Sequence, residues 1–228
     1  MEGKDCTASP PIALKNVTKS CLSLQIAPLQ EELEKGIKVL DIGCGPGWWS
    51  LDMAKKYPKS QFIGIDITND FPLDESLDNL SFQTINAGQG LPFSDNEFDY
   101  VFQRFLVMGF SSEQYRFVID EIKRVLKPGG TVEILEMVSE YNDAGPSFQN
   151  IGVWSKSNMS HITVVLQRPL IYNSNFPFHA VEKALRLNSL DPRIATQVAG
   201  MLQAAGFTRV SDKLRRIPIG KSQPSVAI

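Results

Sequence analysis

The chain has 228 residues, 43% of them hydrophobic, which suits one substantial core and one α/β domain with appendages better than two independent domains. A formal net charge of −2 provides no global basic field, so nucleic acid and anionic membranes are not expected as partners. Cys6, Cys21 and Cys44 are odd in number and form no CxxC pair; with no secretory signal and no run near the roughly 20 apolar residues of a bilayer span, they point to a reducing, cytoplasmic setting.

Residues 1–28 are of mixed polarity, punctuated by Pro10, Pro11 and Pro28, and read as an arm or lid. Strong helix formers follow in LQEELEK (29–35), closed by Gly36. IKVLDI (37–42) is short, β-branched and apolar, as a central parallel strand covered on both faces should be. A glycine loop ends it. SLDMAKKY (50–57) is the next helix, with Lys55 and Lys56 where positive charge suits the dipole and Pro58 as its stop.

QFIGID (61–66) and LSFQTIN (80–86) are the second and third strands, joined by a crossover too short and polar for a long helix. FDYVFQRF (98–105) is the fourth strand. SSEQYRFVIDEIKRVL (111–126) is a helix N-capped by Ser111 or Ser112, and KPGG breaks it before strand five, TVEILEM. Such alternation predicts a Rossmann-like, doubly wound α/β fold: a mainly parallel sheet with helices on both faces, and a ligand crevice beyond the carboxyl ends of the strands. Residues 29–140 form the core of this scheme, and 141–228 supply further helices and a closing strand of the same domain.

The chemistry-bearing residues fall at strand ends. Gly43, Gly45 and Gly47 alternate along GCGPG, permitting close backbone approach as strand turns into helix. Asp66, at the tip of strand two, sits where a carboxylate accepts the hydroxyl hydrogens of an adenosine ribose; the competing reading is a solvated aspartate opening the ITND turn. Loop and acid together favour a nucleoside.

Two nucleoside ligands compete, a nicotinamide dinucleotide and S-adenosylmethionine. A dinucleotide loop spaces its glycines GxGxxG, whereas Trp48 and Trp49 follow Gly47 here. Asp41, just before the loop, would repel a pyrophosphate and welcome a methionine ammonium group; its competing role is to cap the loop's own amides. The balance favours S-adenosylmethionine.

VLDIGCGPGWWSLDMA, QFIGIDI, GLPFSDNEFDYVFQRF and EIKRVLKPGGTVEILEM resemble successive motifs of class I S-adenosylmethionine-dependent methyltransferases, especially a fungal group of small-molecule type. The resemblance covers residues 30–140, with a weaker echo in LDPRIATQVAGMLQAAGFTRV (190–210). It implies that Gly43, Cys44, Gly45 and Gly47 line the methionine and ribose side, that Asp66 holds the ribose diol and that Ile67 packs on the adenine. Asn86 and Ala87 would read the adenine amino group, unless Asn86 simply serves a turn. Gln103 would approach the methionine or the acceptor.

The activity implied is methyl transfer to a small-molecule acceptor, with proximity and alignment supplying most of the rate. No catalytic residue is assigned. His161, His179, Glu136, Glu140 and Tyr141 are candidate bases should the acceptor be a hydroxyl, and no histidine pair has metal-ligand spacing. Trp48, Trp49, Phe105, Phe110, Phe148 and Trp154 are candidates for an apolar acceptor pocket or for core. The ends depart from the family: VSDKLRRIPIG (210–220) can serve as a sixth strand, but KSQPSVAI with Pro224 is a poor seventh, so the expectation is a sheet without its terminal strand, its edge either exposed or completed by another chain. A non-catalytic cofactor-binding or interaction protein on the same fold is thus the alternative, with a nicotinamide oxidoreductase behind it. No oligomeric state follows from these features.

Overall fold

The structure, a computed structural model, describes residues 27–72, 77–136, 185–187, 189–191 and 193–212. Its centre is a sheet of strands β1 (Lys38–Ile42), β2 (Gln61–Asp66), β3 (Leu80–Thr84), β4 (Phe98–Arg104) and β5 (Leu126–Leu135). They are ordered β3-β2-β1-β4-β5 and every neighbouring pair is parallel. The order reverses direction at β1, so the connections leaving the carboxyl ends of β1 and β4 run to opposite faces of the sheet, the place where a crevice is expected.

Alternate residues of the central strands serve opposite faces, as the two-residue period of a strand requires. Val39, Phe62, Tyr100 and Phe102 pack with Leu33 of helix α1 (Gln30–Lys35) and with Trp49, Met53 and Ala54 of helix α2 (Trp48–Lys56). Leu40, Ile42, Ile65 and Val101 pack on the other side. There they meet Val118 and Ile122 of helix α3 (Ser112–Val125) and Val198 and Met201 of helix α4 (Val198–Ala204). The fold is therefore three-layered and doubly wound.

Local chemistry sets the boundaries. Ser111 caps α3 in a reciprocal capping box: its hydroxyl accepts from Gln114 N–H at 3.2 Å, and Gln114 Oε1 accepts from Ser111 N–H at 3.0 Å. Tyr115, Val118, Ile119, Ile122 and Val125 are its buried face, at helical spacing. Buried Ser60 locks α1 to the sheet, donating to Leu33 O at 2.7 Å and accepting from Ile37 N–H at 3.0 Å.

Three boundaries differ from the sequence expectation. Helix α2 begins at Trp48, two residues before Ser50, because left-handed Gly47 already accepts from Leu51 N–H at 2.9 Å and acts as N-cap. Strand β3 ends at Thr84 because the Asn86 side chain accepts from Gly88 N–H at 3.0 Å, starting a single 3-10 turn at Ala87–Gln89. KPGG does not separate helix from strand: β5 already pairs with β4 at Leu126↔Phe98, and the next pair is Thr131↔Tyr100. Lys127 to Gly130 therefore form a bulge within the pairing, the usual accommodation for a proline that has no N–H to give. Among the described residues β5 is an edge strand. Residues 210–212 carry no strand, and the rest of the expected sixth strand lies outside the described residues, as do residues 1–26 and 137–184.

Candidate functional site

The glycine loop is built onto the ends of β1 and β2. Gly43 and Cys44 N–H groups both donate to Ile65 O, at 2.8 and 3.0 Å, and Gly47 N–H donates to Cys44 O at 3.0 Å. Two glycines are required by space as well as by dihedral angle. Gly43 has φ +68°, and a Cβ there would overlap the Leu106 side chain; Gly47 has φ +72°, and a Cβ there would strike the Phe82 ring. Phe82 is held by stacking on Phe71 at 5.0 Å between centroids. A Cβ at Gly45 would meet nothing within 4 Å, so that glycine faces open space at the tip of the loop.

Asp66 ties the loop to β2. Its Oδ2 accepts from Gly45 N–H at 2.8 Å, and its Oδ1 accepts from the Thr68 N–H and hydroxyl at 3.0 and 3.2 Å. The carboxylate thus opens the ITND turn, as the competing sequence reading has it, and it also meets the glycine loop. Ile67 beside it is 65% exposed, an apolar side chain held out at the strand end. On the neighbouring strand Asn86 is committed to the 3-10 turn and Ala87 is buried in the core.

Asp41 is buried within the structure, 3% exposed, and its Oδ2 accepts from the Ser50 hydroxyl at 2.6 Å. It caps the side chain of the following helix rather than the loop's amides. Burial pushes its carboxyl up to about 6, against the pull of the Ser50 hydrogen bond and the Arg104 charge and with the repulsion of Asp66. Cys44 is also buried, and burial beside Asp41 and Asp66 pushes its thiol up, so it is a neutral wall of the loop and not a nucleophile.

Gln103, the penultimate residue of β4, lies directly beside Ile42 of β1. It is fully buried. Its Nε2 donates to Tyr115 Oη at 2.8 Å and lies 3.5 Å from Glu136 Oε1, while its Oε1 has no hydrogen-bond partner among the described residues. Glu136, just past β5, accepts from Tyr115 Oη–H at 2.8 Å and from the Leu106 and Val107 N–H groups, each at 3.0 Å. Burial pushes the Glu136 carboxyl up, and those hydrogen bonds hold it down less strongly. Burial beside Glu136 also pushes the Tyr115 hydroxyl up, which keeps it a donor at any working pH.

The structure thus brings Asp41, Gly43, Cys44, Gly45, Gly47, Asp66 and Gln103 to the carboxyl ends of β1, β2 and β4, with Ile67, Asn86 and Ala87 at the ends of β2 and β3. Trp49 and Phe110 belong to the core; Trp49 stacks on Phe102 at 3.9 Å, while Trp48 is 47% exposed at the start of α2. Of the candidate bases only Glu136 is described. His161, His179, Glu140 and Tyr141, with Phe148 and Trp154, lie outside the described residues. Sequence reasoning missed Ser50, Leu106 and Tyr115: a serine and a tyrosine on buried helix faces carry no motif, though a polar tip on an apolar face hints at a buried partner. Among the described residues no group of three or more His, Cys, Asp or Glu side chains is placed to hold a metal, and no helix is long and apolar enough to cross a membrane.

Residues 39–130 match the sequence model of a family described as "Methyltransferase domain". The chain is 34% identical over 117 residues to the secondary metabolism regulator laeA of Coprinopsis cinerea, covering 49% of this chain and 27% of that one. It is 36% identical over 113 residues to the demethylmenaquinone methyltransferase of Staphylococcus carnosus, covering 46% of this chain and 45% of the other. The chain therefore spans less than half the length of these curated relatives. Among solved structures, phospholethanolamine N-methyltransferase 2 of Haemonchus contortus aligns with a TM-score of 0.47 and 19% identity, over 76% of this chain and 34% of that one. The glycine loop, the acidic end of β2 and nearly all of strands β1 to β4 lie within the matched segment, so the similarity to a methyltransferase domain falls on the part of the chain that builds this site.

Proposed function

We propose that this chain transfers a methyl group from S-adenosylmethionine to a small-molecule acceptor. The observation that carries the reading is the junction of Asp66 with the glycine loop, 2.8 Å from Gly45 N–H. It sets an acidic strand end and a Cβ-free backbone side by side at the switch point of the sheet. The residues fit such a cofactor on independent grounds: a Cβ at Gly45, at the loop tip, would stand in open space, and the buried Gln103 Oε1 is an acceptor with no donor among the described residues.

In this reading Asp66 accepts from the ribose hydroxyls and Ile67 packs on the adenine, while Asn86 and Ala87, with the Asn86 side chain held by the 3-10 turn and Ala87 in the core, offer the adenine edge backbone groups only. Gly43, Cys44, Gly45 and Gly47 line the ribose and methionine, while Asp41 and Gln103 provide the charge and the acceptor for the methionine ammonium. The cofactor supplies an electrophilic methyl group when bound. The chain's own work is to bind, align and exclude water, and effective molarity of this kind is worth roughly 7–11 kcal/mol of a barrier. Buried Asp41 is largely ionised above about 6, so a cationic ammonium beside it relieves the cost of its burial.

The test is incubation of the purified chain with isotope-labelled cofactor in a cell extract, followed by mass spectrometry. A small molecule that acquires the labelled methyl group supports the reading and identifies the acceptor. Binding of S-adenosylhomocysteine without transfer to any acceptor in a broad screen would replace catalysis by cofactor binding alone. Binding of NADH with indifference to S-adenosylhomocysteine would turn the assignment to a nicotinamide enzyme.

A further inference from the structure

The Gln103, Tyr115 and Glu136 side chains form a buried polar network drawn from the ends of β4, α3 and β5, and the order of donors along it is constrained. Glu136 takes two backbone N–H groups from the turn after β4, Leu106 to Oε1 and Val107 to Oε2, both at 3.0 Å. Tyr115 also gives its proton to Glu136 Oε1, at 2.8 Å. Its oxygen is therefore left as an acceptor for Gln103, at 2.8 Å. A carboxylate oxygen 3.5 Å from the Gln103 amide requires the Nε2 end to face it, because the reversed amide would set two oxygens against each other. The orientation of Gln103 is thus decided by Glu136, and its consequence is a buried Oε1 with no partner among the described residues.

The same carboxylate acts on the glycine loop. Phe105 has φ +57°, an uncommon conformation for a bulky residue, and its N–H is tied to Leu135 O at 2.9 Å. The next two N–H groups are those held by Glu136. Leu106, so fixed, lies against Gly43, in the space that a Cβ there would need. One buried carboxylate therefore determines both the Gln103 amide and the turn that meets the glycine loop.

We propose that Glu136 is a positioning residue for the cofactor site: it orients Gln103 so that the buried Oε1 is presented as the hydrogen-bond acceptor for the ammonium of the methionine moiety. This rests on the proposed S-adenosylmethionine site. Glu136 holds donors on both oxygens, and its role in this proposal is to orient Gln103, not to act as a general base.

The test combines calorimetry with S-adenosylhomocysteine, whose ammonium is the same, and NMR of the Gln103 side-chain amide in the free protein. E136Q replaces one acceptor oxygen by a donor and removes the charge; Q103L removes Oε1. Each is expected to weaken binding about tenfold, and the double variant to weaken it no more than the stronger single one, because both act through the same atom. In E136Q the Gln103 amide signals should shift, while thermal melting reports that the variant is folded. Should E136Q fail to fold, Q103L and Y115F carry the same comparison, Y115F moving the amide signals through loss of the phenol acceptor. Unchanged affinity in folded E136Q or Q103L, or additive losses in the double variant, would overturn the proposal and leave the cofactor reading standing. No binding to the wild-type chain would overturn both.

Discussion

Replacing Asp41 by Asn should stabilise the free protein while weakening its site. The carboxyl is 3% exposed and is pushed from 3.8 to about 6, first by burial. Between those values the folded state holds a proton that the unfolded chain has released, so stability falls as pH rises through this window. Above about 6 the whole penalty is present, and a rise from 3.8 to about 6 corresponds to roughly 3 kcal/mol. Asn keeps an acceptor for the Ser50 hydroxyl and carries no charge. At pH 7.5 the variant should therefore gain up to about 3 kcal/mol, seen as roughly 5–10 °C in Tm for a domain of this size. At pH 5 the gain should shrink to about half. Paired melts at the two pH values measure it. A variant less stable than wild type at pH 7.5, or a difference that does not change with pH, would refute the idea that Asp41 is held charged in the interior at a cost. In the same variant, S-adenosylhomocysteine should bind about tenfold more weakly at pH 7.5, because the charge that faces the ammonium is gone.

Other perturbations probe the loop and its supports. Gly47→Ala forces a left-handed alanine against the Phe82 ring and should cost about 2–4 kcal/mol in chemical denaturation; F82L in the same chain should return part of that loss. Asp66→Ala should weaken S-adenosylhomocysteine binding by about 1–3 kcal/mol in calorimetry, with unchanged affinity removing the carboxylate from the site. Ser111→Ala, which breaks the capping box of α3, should cost about 1 kcal/mol of stability and leave cofactor affinity unchanged.

The fold was legible because its central strands are nearly continuous apolar runs and its helices are bracketed by chemistry that announces their ends. Gly36 after α1, Ser111 before α3 and Pro58 after α2 are all such signals, and each element starts or stops beside them. Boundaries slipped where a residue does two things at once. Gly47 reads as the end of a loop but is also the N-cap of α2, and Pro128 reads as a stop although the chain bulges around it and keeps pairing.

The site was legible in its backbone and less so in its side chains. Glycine spacing and a strand-end acid are local features that mark the loop and the strand end, although the Gly45 to Asp66 contact that joins them carries no sequence signal of its own. The Asp41 to Ser50 bond and the Gln103, Tyr115 and Glu136 network depend on how helices roll over the sheet. That geometry is set by core packing across two layers, and no sequence spacing records it. Glu136 was noted only as a candidate base, since a carboxylate at a strand end looks the same in sequence whether it is free or holds three donors.

The most direct measurement of the central claim is isothermal titration of the purified chain with S-adenosylhomocysteine, with NADH as the parallel ligand. The account predicts saturable one-to-one binding of S-adenosylhomocysteine that is weakened by about 1–3 kcal/mol in Asp66→Ala, and no heat with NADH. Absence of S-adenosylhomocysteine binding to a folded wild-type chain would contradict it.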